Sequence, residues 1–231
     1  MSTYRKHVLG AIALLGVATM AFAHGDVAPQ PVNTDALPDV GEEWLIESPY
    51  RVGNITEKEW LAALEIGASG YNQNCARCHG LEAVSGGLAP DLRFLEAEEY
   101  GDEWYMERYI HGYTQNGVTR MPAFGELLGQ KAGWAIRVYI ETRPDDEMMA
   151  EVSPQLAEIR DQLKAWQDDA SGADVEATVA TLQEIAGSIE TLSGAPVADS
   201  VAFRAANILQ ADPANFKTAA DTLTIGLSAA N

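Results

Sequence analysis

Cys75-Ala76-Arg77-Cys78-His79 is the stretch whose residue types and spacing point to one specific chemistry. Two thiols separated by two residues on a helical turn match the spacing of the two vinyl groups of a haem, so each can add across one of them. The adjacent His79 is then held beneath the ring, where its imidazole can ligate iron. No other cysteines occur in the chain. Rival readings of the pair fare worse. Structural zinc needs four protein ligands, and no second Cys pair or closely spaced Cys and His set completes one. A thioredoxin-like dithiol wants a β-α-β pattern around it, which this region lacks. A plain disulfide leaves His79 without a role.

Iron held in this way has a sixth coordination site to fill. Beyond residue 23 the formal candidates are His24, Met106, His111, Met121, Met148 and Met149. Met121 is preferred. It lies in the stretch Asn116 to Gly125, read as a loop ahead of a helix, where Pro122 biases the backbone of Met121 towards an extended conformation. A thioether in the sixth position raises the reduction potential and closes the site, which suits electron transfer rather than substrate chemistry. Without that setting a methionine reads as core filler. His111 sits in a helix-terminal His-Gly pair and reads as a partner for a carbonyl. His24 offers an amine and an imidazole to a stray metal. Met148 and Met149, in what reads as a linker, suit packing or exposure better than ligation.

The elements that must position these residues are helical. No run sustains a period of two, so strands are not expected and the fold class is all-α. Residues 24–58 are punctuated by Pro29, Pro31, Pro38 and Pro49 and read as an extended arm. Residues 59–144 carry the haem motif. Their first helix starts at Thr56, with Glu57 and Glu59 in its first turn, and has Gly67 and Gly70 as expected break points. A second helix covers about Glu98 to His111, and a last one about Gly125 to Thr142, stopped by Pro144. Residues 145–231 are an acidic helical module. Ser153-Pro154 reads as an N-cap and first position. Asp174 caps a second helix ending at Ser193-Gly194, and two shorter segments follow, at Ser200 to Gln210 and from Asp212-Pro213 to about Ala229. Four amphipathic segments suffice for a small bundle.

Residues 1–23 read as a secretory signal peptide: Arg5, Lys6 and His7, an apolar run from Val8 to Met20, then Ala21-Phe22-Ala23. The run is too short to cross a bilayer. Cleavage predicts a mature chain from His24, exported to the periplasm without a membrane span; an uncleaved anchor with the same outward topology is the other reading. Losing Arg5 and Lys6 takes the formal charge from −19 to about −21. Such a field repels nucleic acid and anionic membranes.

At the haem motif the chain resembles class I cytochromes c, and more narrowly the cytochromes c-550 associated with quinoprotein ethanol dehydrogenases. The narrower resemblance rests on His24-Gly25-Asp26-Val27, Glu43-Trp44, Ser48-Pro49-Tyr50-Arg51, the runs from Ile66 to Ala83 and from Ser85 to Arg93, and Trp134-Ala135-Ile136-Arg137. It implies a class I fold whose first and last core helices cross beside one covalently bound haem c. Gly67 and Tyr71 match the glycine and aromatic of the first helix, and Tyr139 the aromatic of the last. Pro90 matches the proline whose carbonyl accepts the proximal imidazole's proton, and Arg93 and Trp104 are candidate propionate partners. Residues 145–231 lie outside the resemblance; docking, self-association and simple accompaniment of the haem domain all stay open for them.

The function implied is that of a single-electron carrier and not an enzyme. Its expected donor is a PQQ-dependent alcohol dehydrogenase, and its acceptor a downstream cytochrome or terminal oxidase. Two other uses remain open on the residues alone. A labile Met121 would make a haem peroxidase or gas sensor, and a dominant C-terminal module would make a redox-switched interaction protein.

Overall fold

A computed structural model describes residues 29–197 and 200–229. The leader expected at 1–23, the new terminus at His24 and the residues up to Val27 that share in the resemblance lie outside them. In chain order the elements are α1 (Glu57–Asn74), α2 (Ala76–His79), α3 (Glu99–His111), β1 (Tyr113–Gln115), β2 (Val118–Met121), α4 (Gly125–Glu141), α5 (Asp146–Trp166), α6 (Val175–Ser188), α7 (Val201–Ala211) and α8 (Phe216–Ala229). The architecture is all-α, with one small hairpin.

α1 begins at a reciprocal cap. Glu59 N–H donates to Thr56 Oγ1, and Thr56 N–H donates back to Glu59 Oε2 at 2.9 Å, satisfying two of the amides a helix start leaves open. The helix does not break at Gly67 or Gly70, because both glycines serve close contact rather than bending. A Cβ on Gly67 would lie 2.0 Å from the Ala135 carbonyl oxygen, and one on Gly70 3.0 Å from the Ile136 side chain. α1 and α4 therefore cross almost backbone to backbone. Around the crossing Tyr71, Tyr105, Tyr109, Trp134, Ile136, Val138, Tyr139 and Ile140 form a buried apolar cluster. α4 is kinked instead, at Gly129 with φ +79, where Tyr109 Oη–H donates to the Gly129 carbonyl at 3.0 Å.

The segment from Pro29 to Ile55 forms no helix or named strand and is laid over this core. Leu37 and Tyr50 are buried in the cluster. Tyr50 donates to Pro38 O at 2.7 Å, Lys131 Nζ to Leu37 O at 2.8 Å, and Gln130 Nε2 to Glu43 O at 2.9 Å. A prolyl-rich chain has few internal bonds to make, so two of these carbonyls find donors on α4.

The absence of strands expected from the sequence needs correction. Val118–Met121 is not a loop but a strand paired antiparallel with Tyr113–Gln115. Asn116 and Gly117 close it with φ of +53 and +76, the two-residue turn that Asn-Gly favours.

A second buried cluster joins Met149, Leu156, Leu163, Trp166, Leu182, Ile185, Leu209, Leu223 and Leu227 from α5 to α8. Two expected boundaries shift. α5 starts at Asp146, well before Ser153-Pro154, because Asp145 takes the cap by accepting from Glu147 N at 2.8 Å. Ser153 Oγ donates to Met149 O at 2.6 Å inside the helix, and Pro154 withholds one helical N–H there. Met148 and Met149 thus belong to the first turn of α5 rather than to a linker. α6 ends at Ser188, before Ser193-Gly194, because the following residues turn back to the α4–α5 junction. Asp145 N donates to Glu190 O at 2.9 Å, Ala97 N to Ser193 O at 2.9 Å, and Ser193 Oγ to Glu141 O.

The glycines separate contact from freedom. Gly67→Ala is expected to cost about 2–3 kcal/mol, since neither backbone at the crossing can yield cheaply. Gly187→Ala, exposed on α6 with nothing near its missing Cβ, should stabilise by about 0.5 kcal/mol. Urea titration of the two variants measures both.

Candidate haem site

The crossing of α1 and α4 sets the position of the cysteine motif. The last turn of α1 closes with Cys75 N–H on Tyr71 O at 2.8 Å, and the chain at once makes the single turn α2, in which Cys78 N and His79 N both donate to Cys75 O, at 3.1 and 3.0 Å. Cys75 packs partly buried against the main cluster while Cys78 is exposed, and the two thiols are not joined to one another. Burial, assisted by the nearby Cys78, pushes the Cys75 thiol up to about 12, so it is protonated at neutral pH. Gly80 ends the turn with φ +85, and a Cβ there would meet Val84 O at 1.8 Å. The Gly80 carbonyl accepts from Tyr71 Oη–H at 2.8 Å.

His79 is buried, with Nδ1 at 2.9 Å from Pro90 O. A carbonyl has no proton to give, so Nδ1 carries the hydrogen and, in the neutral ring, Nε2 keeps its lone pair. Burial lowers the imidazole pKa, and the Pro90 bond and Asp91 only partly oppose it. A neutral, oriented imidazole with a bare Nε2 is the form in which histidine binds a metal.

Met121 ends β2 opposite Tyr113 and packs partly buried against the same cluster as Cys75 and Ala76. Its backbone is held by the close approach of Gly112, where a Cβ would lie 2.5 Å from Met121 O. Met106 is in the core, His111 is exposed at the end of α3, and Met148 and Met149 belong to the second cluster. His24 lies outside the described residues. Arg93 is fully engaged by protein groups: Asp91 at 2.8 Å, Asp146 at 2.7 Å and the Pro144 carbonyl at 3.3 Å. Trp104 lies under the Arg108 guanidinium, 5.2 Å from it.

Several charged residues important to the site's frame carry no local signal in the sequence. Asp102, fully buried, accepts from Arg51 Nη2, Arg137 Nε and the Ser48 N–H at 2.8–2.9 Å. Arg51 also reaches Glu141 at 2.8 Å. Arg143, buried under the Tyr139 ring at 4.0 Å, donates to Glu82 at 2.8 Å. Glu82 and Ala83 take φ of +56 and +63, so this clamp holds the loop after His79 in a conformation such residues rarely adopt.

These residues fit a haem. The donor set is a neutral imidazole, a thioether and two thiols that are not paired with each other. The loops flanking the motif leave large apolar side chains facing water, with Leu88 77 %, Leu81 73 % and Phe94 65 % exposed, surface that an apolar macrocycle would cover. No group of three or more His, Cys, Asp or Glu side chains able to hold a metal ion occurs among the described residues, so the zinc reading lacks a donor set there.

Asp91 gives the site a pH dependence. Burial alone would raise its pKa, but hydrogen bonds from Arg93 and the Arg93 charge carry it below the ordinary 3.8. The stability this supplies is present above that value and is lost as pH falls through the lower, folded-state pKa. Between pH 5 and 3, Asp91→Asn should therefore lose stability less steeply than the parent protein, as followed by urea unfolding at each pH.

Residues 62–140 match the family described as cytochrome c oxidase, cbb3-type, subunit III. The chain is 50 % identical to cytochrome c550 of Pseudomonas aeruginosa over 136 residues, which is 59 % of this chain and 92 % of that protein. It is 34 % identical over 85 residues to quinohemoprotein alcohol dehydrogenase ADH-IIG of Pseudomonas putida, and 30 % identical over 105 residues to ADH IIB of the same organism. Those stretches are 37 % and 45 % of this chain but only 11 % and 15 % of the enzymes. No solved structure matches significantly. Identity at one residue in two along nearly all of a small cytochrome is more than a shared fold demands, so this chain belongs to the c-type cytochromes, electron carriers that hold haem covalently.

Proposed function

We propose that this protein is a monohaem carrier in which Cys75 and Cys78 would form the thioether links and His79 Nε2 and the Met121 sulfur would ligate the iron. The observation that carries this reading is the buried, neutral His79, oriented by Pro90 and set in the same helical turn as two thiols not joined to each other. Bound there, haem supplies a one-electron iron couple. The chain's own residues would hold and tune it: Pro90 orients His79, Tyr71 and Arg143 fix the loop that follows, and Met121 would supply the other ligand. In this reading residues 59–144 are the haem domain, residues 24–58 an arm over it, and residues 145–231 a module of their own.

The carrier works outside the cytoplasm, in the periplasm, after export through residues 1–23. It takes electrons singly from the reduced quinone cofactor of a PQQ-dependent alcohol dehydrogenase and yields them to a downstream cytochrome or terminal oxidase. Similarity to both a free cytochrome c550 and parts of two quinohemoprotein alcohol dehydrogenases supports that donor. The acidic surface favours a donor with a basic docking face.

Two measurements test the reading. The ferric protein should show the weak long-wavelength sulfur-to-iron band, and Met121→Ala should lose it completely, bind cyanide or carbon monoxide readily and have a lower reduction potential. A parent protein without the band that already binds these ligands would favour a peroxidase or gas sensor. In stopped-flow mixing, a purified quinoprotein alcohol dehydrogenase should reduce the full-length protein, with a rate constant falling about tenfold or more as salt rises. No reduction at any ionic strength would remove this donor.

A further inference from the structure

We infer that Asp146, the first residue of α5, is a positioning residue for His79, acting through Arg93 and Asp91 on the Pro90 carbonyl. The inference rests on the proposed ligation of iron by His79.

The loop from Gly80 to Pro90 has little regular structure, and Gly80, Glu82, Ala83 and Gly87 in it all have positive φ. Within it Ser85 Oγ–H donates to the Ala89 carbonyl at 2.5 Å, just before Pro90. Asp91, the next residue, is tied both to this loop and to Arg93 beyond it. Its carboxylate accepts from Ser85 N at 3.3 Å, Arg93 N at 3.0 Å, Arg93 Nε at 3.0 Å and Arg93 Nη2 at 2.8 Å. Arg93 directs its other donors at the start of α5. Nη1 reaches Asp146 Oδ1 at 2.7 Å and Pro144 O at 3.3 Å, and Nη2 reaches Asp146 Oδ2 at 2.9 Å. All five guanidinium N–H groups are thereby used, in the planar fork that only arginine presents.

Asp146 is not needed to start its helix, since Asp145 already caps it. Its carboxylate completes the pairing of an arginine only 4 % exposed, a charge that becomes costly when one of its two carboxylates is removed. The start of α5 is itself anchored, through Asp145 N on Glu190 O at 2.9 Å and the bridge between Pro144 and Thr191. The C-terminal helices thus reach His79 through hydrogen bonds joining Asp146, Arg93 and Asp91, then the peptide link from Asp91 to Pro90, whose carbonyl meets the imidazole. A tighter Nδ1–H···O=C bond makes the imidazole a stronger donor and favours ferric iron; loosening the clamp favours ferrous iron.

The test uses the full-length holoprotein with Asp146→Ala, Asp146→Glu and, as a charge control one residue along, Glu147→Gln. NMR of the reduced protein reads the exchange of the His79 Nδ1–H with solvent, and redox titration reads the potential. Asp146→Ala should exchange this proton at least tenfold faster and raise the ferrous-to-ferric ratio at fixed potential up to about tenfold, about 59 mV for one electron. Glu147→Gln should leave exchange unchanged and shift the ratio less than half as far. Asp146→Glu should restore slow exchange. Should Asp146→Ala not accumulate as holoprotein, Asp146→Asn, which keeps the size and loses the charge, is read in the same way. Unchanged exchange in the Asp146 variant, or matching effects in Glu147→Gln, would overturn the inference. Failure of the underlying ligation shows separately, as a haem spectrum that His79→Ala leaves unaltered.

Discussion

The missing side chain of Gly67 is the constraint on which the haem-binding half depends. It lets α1 and α4 meet at Ala135, and that meeting puts the rings of Tyr71 and Tyr139 5.2 Å apart, tilted by 41°. Each of these tyrosines then carries its hydroxyl to the loop beyond His79: Tyr71 to the Gly80 carbonyl at 2.8 Å, Tyr139 to the Glu82 carboxylate at 3.3 Å. A helix crossing, itself fixed by packing, thereby becomes a fixed starting direction for the loop that must return Pro90 to the imidazole. An added methyl at Gly67 would act on all of these at once, because packed interiors shift as units rather than yield locally.

A second frame, built of charge, holds the arm and the helices in register. Asp102 on α3 gathers Arg51 from the arm and Arg137 from α4, while Glu141 takes Arg51 as well and stands 3.5 Å from Arg137. Burial pushes the Glu141 carboxyl up against the opposing pull of Arg51 and Arg137, so the desolvation cost is felt even where the pairing is close. Apolar residues of equal volume often stabilise as well as such a set. What the charged set adds is direction: an extended segment with few internal bonds has many ways to lie on an apolar surface, and far fewer that bring Arg51 and the Ser48 amide together on Asp102.

What could be read from the sequence follows from how local each signal is. The cysteine motif, the Thr56 cap and the Asp174 cap are encoded within a few residues, and the structure places the helices where those residues call for them. The hairpin before Met121 was also locally encoded, in Asn116-Gly117, but its strands of three and four residues are mostly exposed and show no apolar alternation. The period therefore failed while the turn residues held the information. Ser153-Pro154 misled because a good cap was present and a better one, Asp145, stood earlier. Nothing nearby in the sequence distinguishes the buried Arg93, Arg137 and Arg143 from the exposed Arg77 and Arg120. Their burial is decided by carboxylates and carbonyls that the fold brings in from far along the chain.

This non-local pairing bears on how the C-terminal helices relate to the haem domain. Contacts across the junction include polar, specific ones: the Ser193 hydroxyl on the Glu141 carbonyl, the Ala97 amide on the Ser193 carbonyl, and Asp146 on Arg93. A module that merely accompanied the cytochrome could be separated from it at little cost, since its apolar core lies among its own helices. Here separation would strip bonds from both sides, and would leave Arg93 with Asp91 as its sole carboxylate partner while the guanidinium stayed next to the loop that orients His79. The backbone carbonyl of Glu141, whose carboxylate already faces two arginines, would lose the Ser193 hydroxyl at the same time. The haem-binding half has thus come to use residues 145–231 to satisfy its own buried polar groups, and the two clusters are joined by the chemistry of the site as well as by the chain.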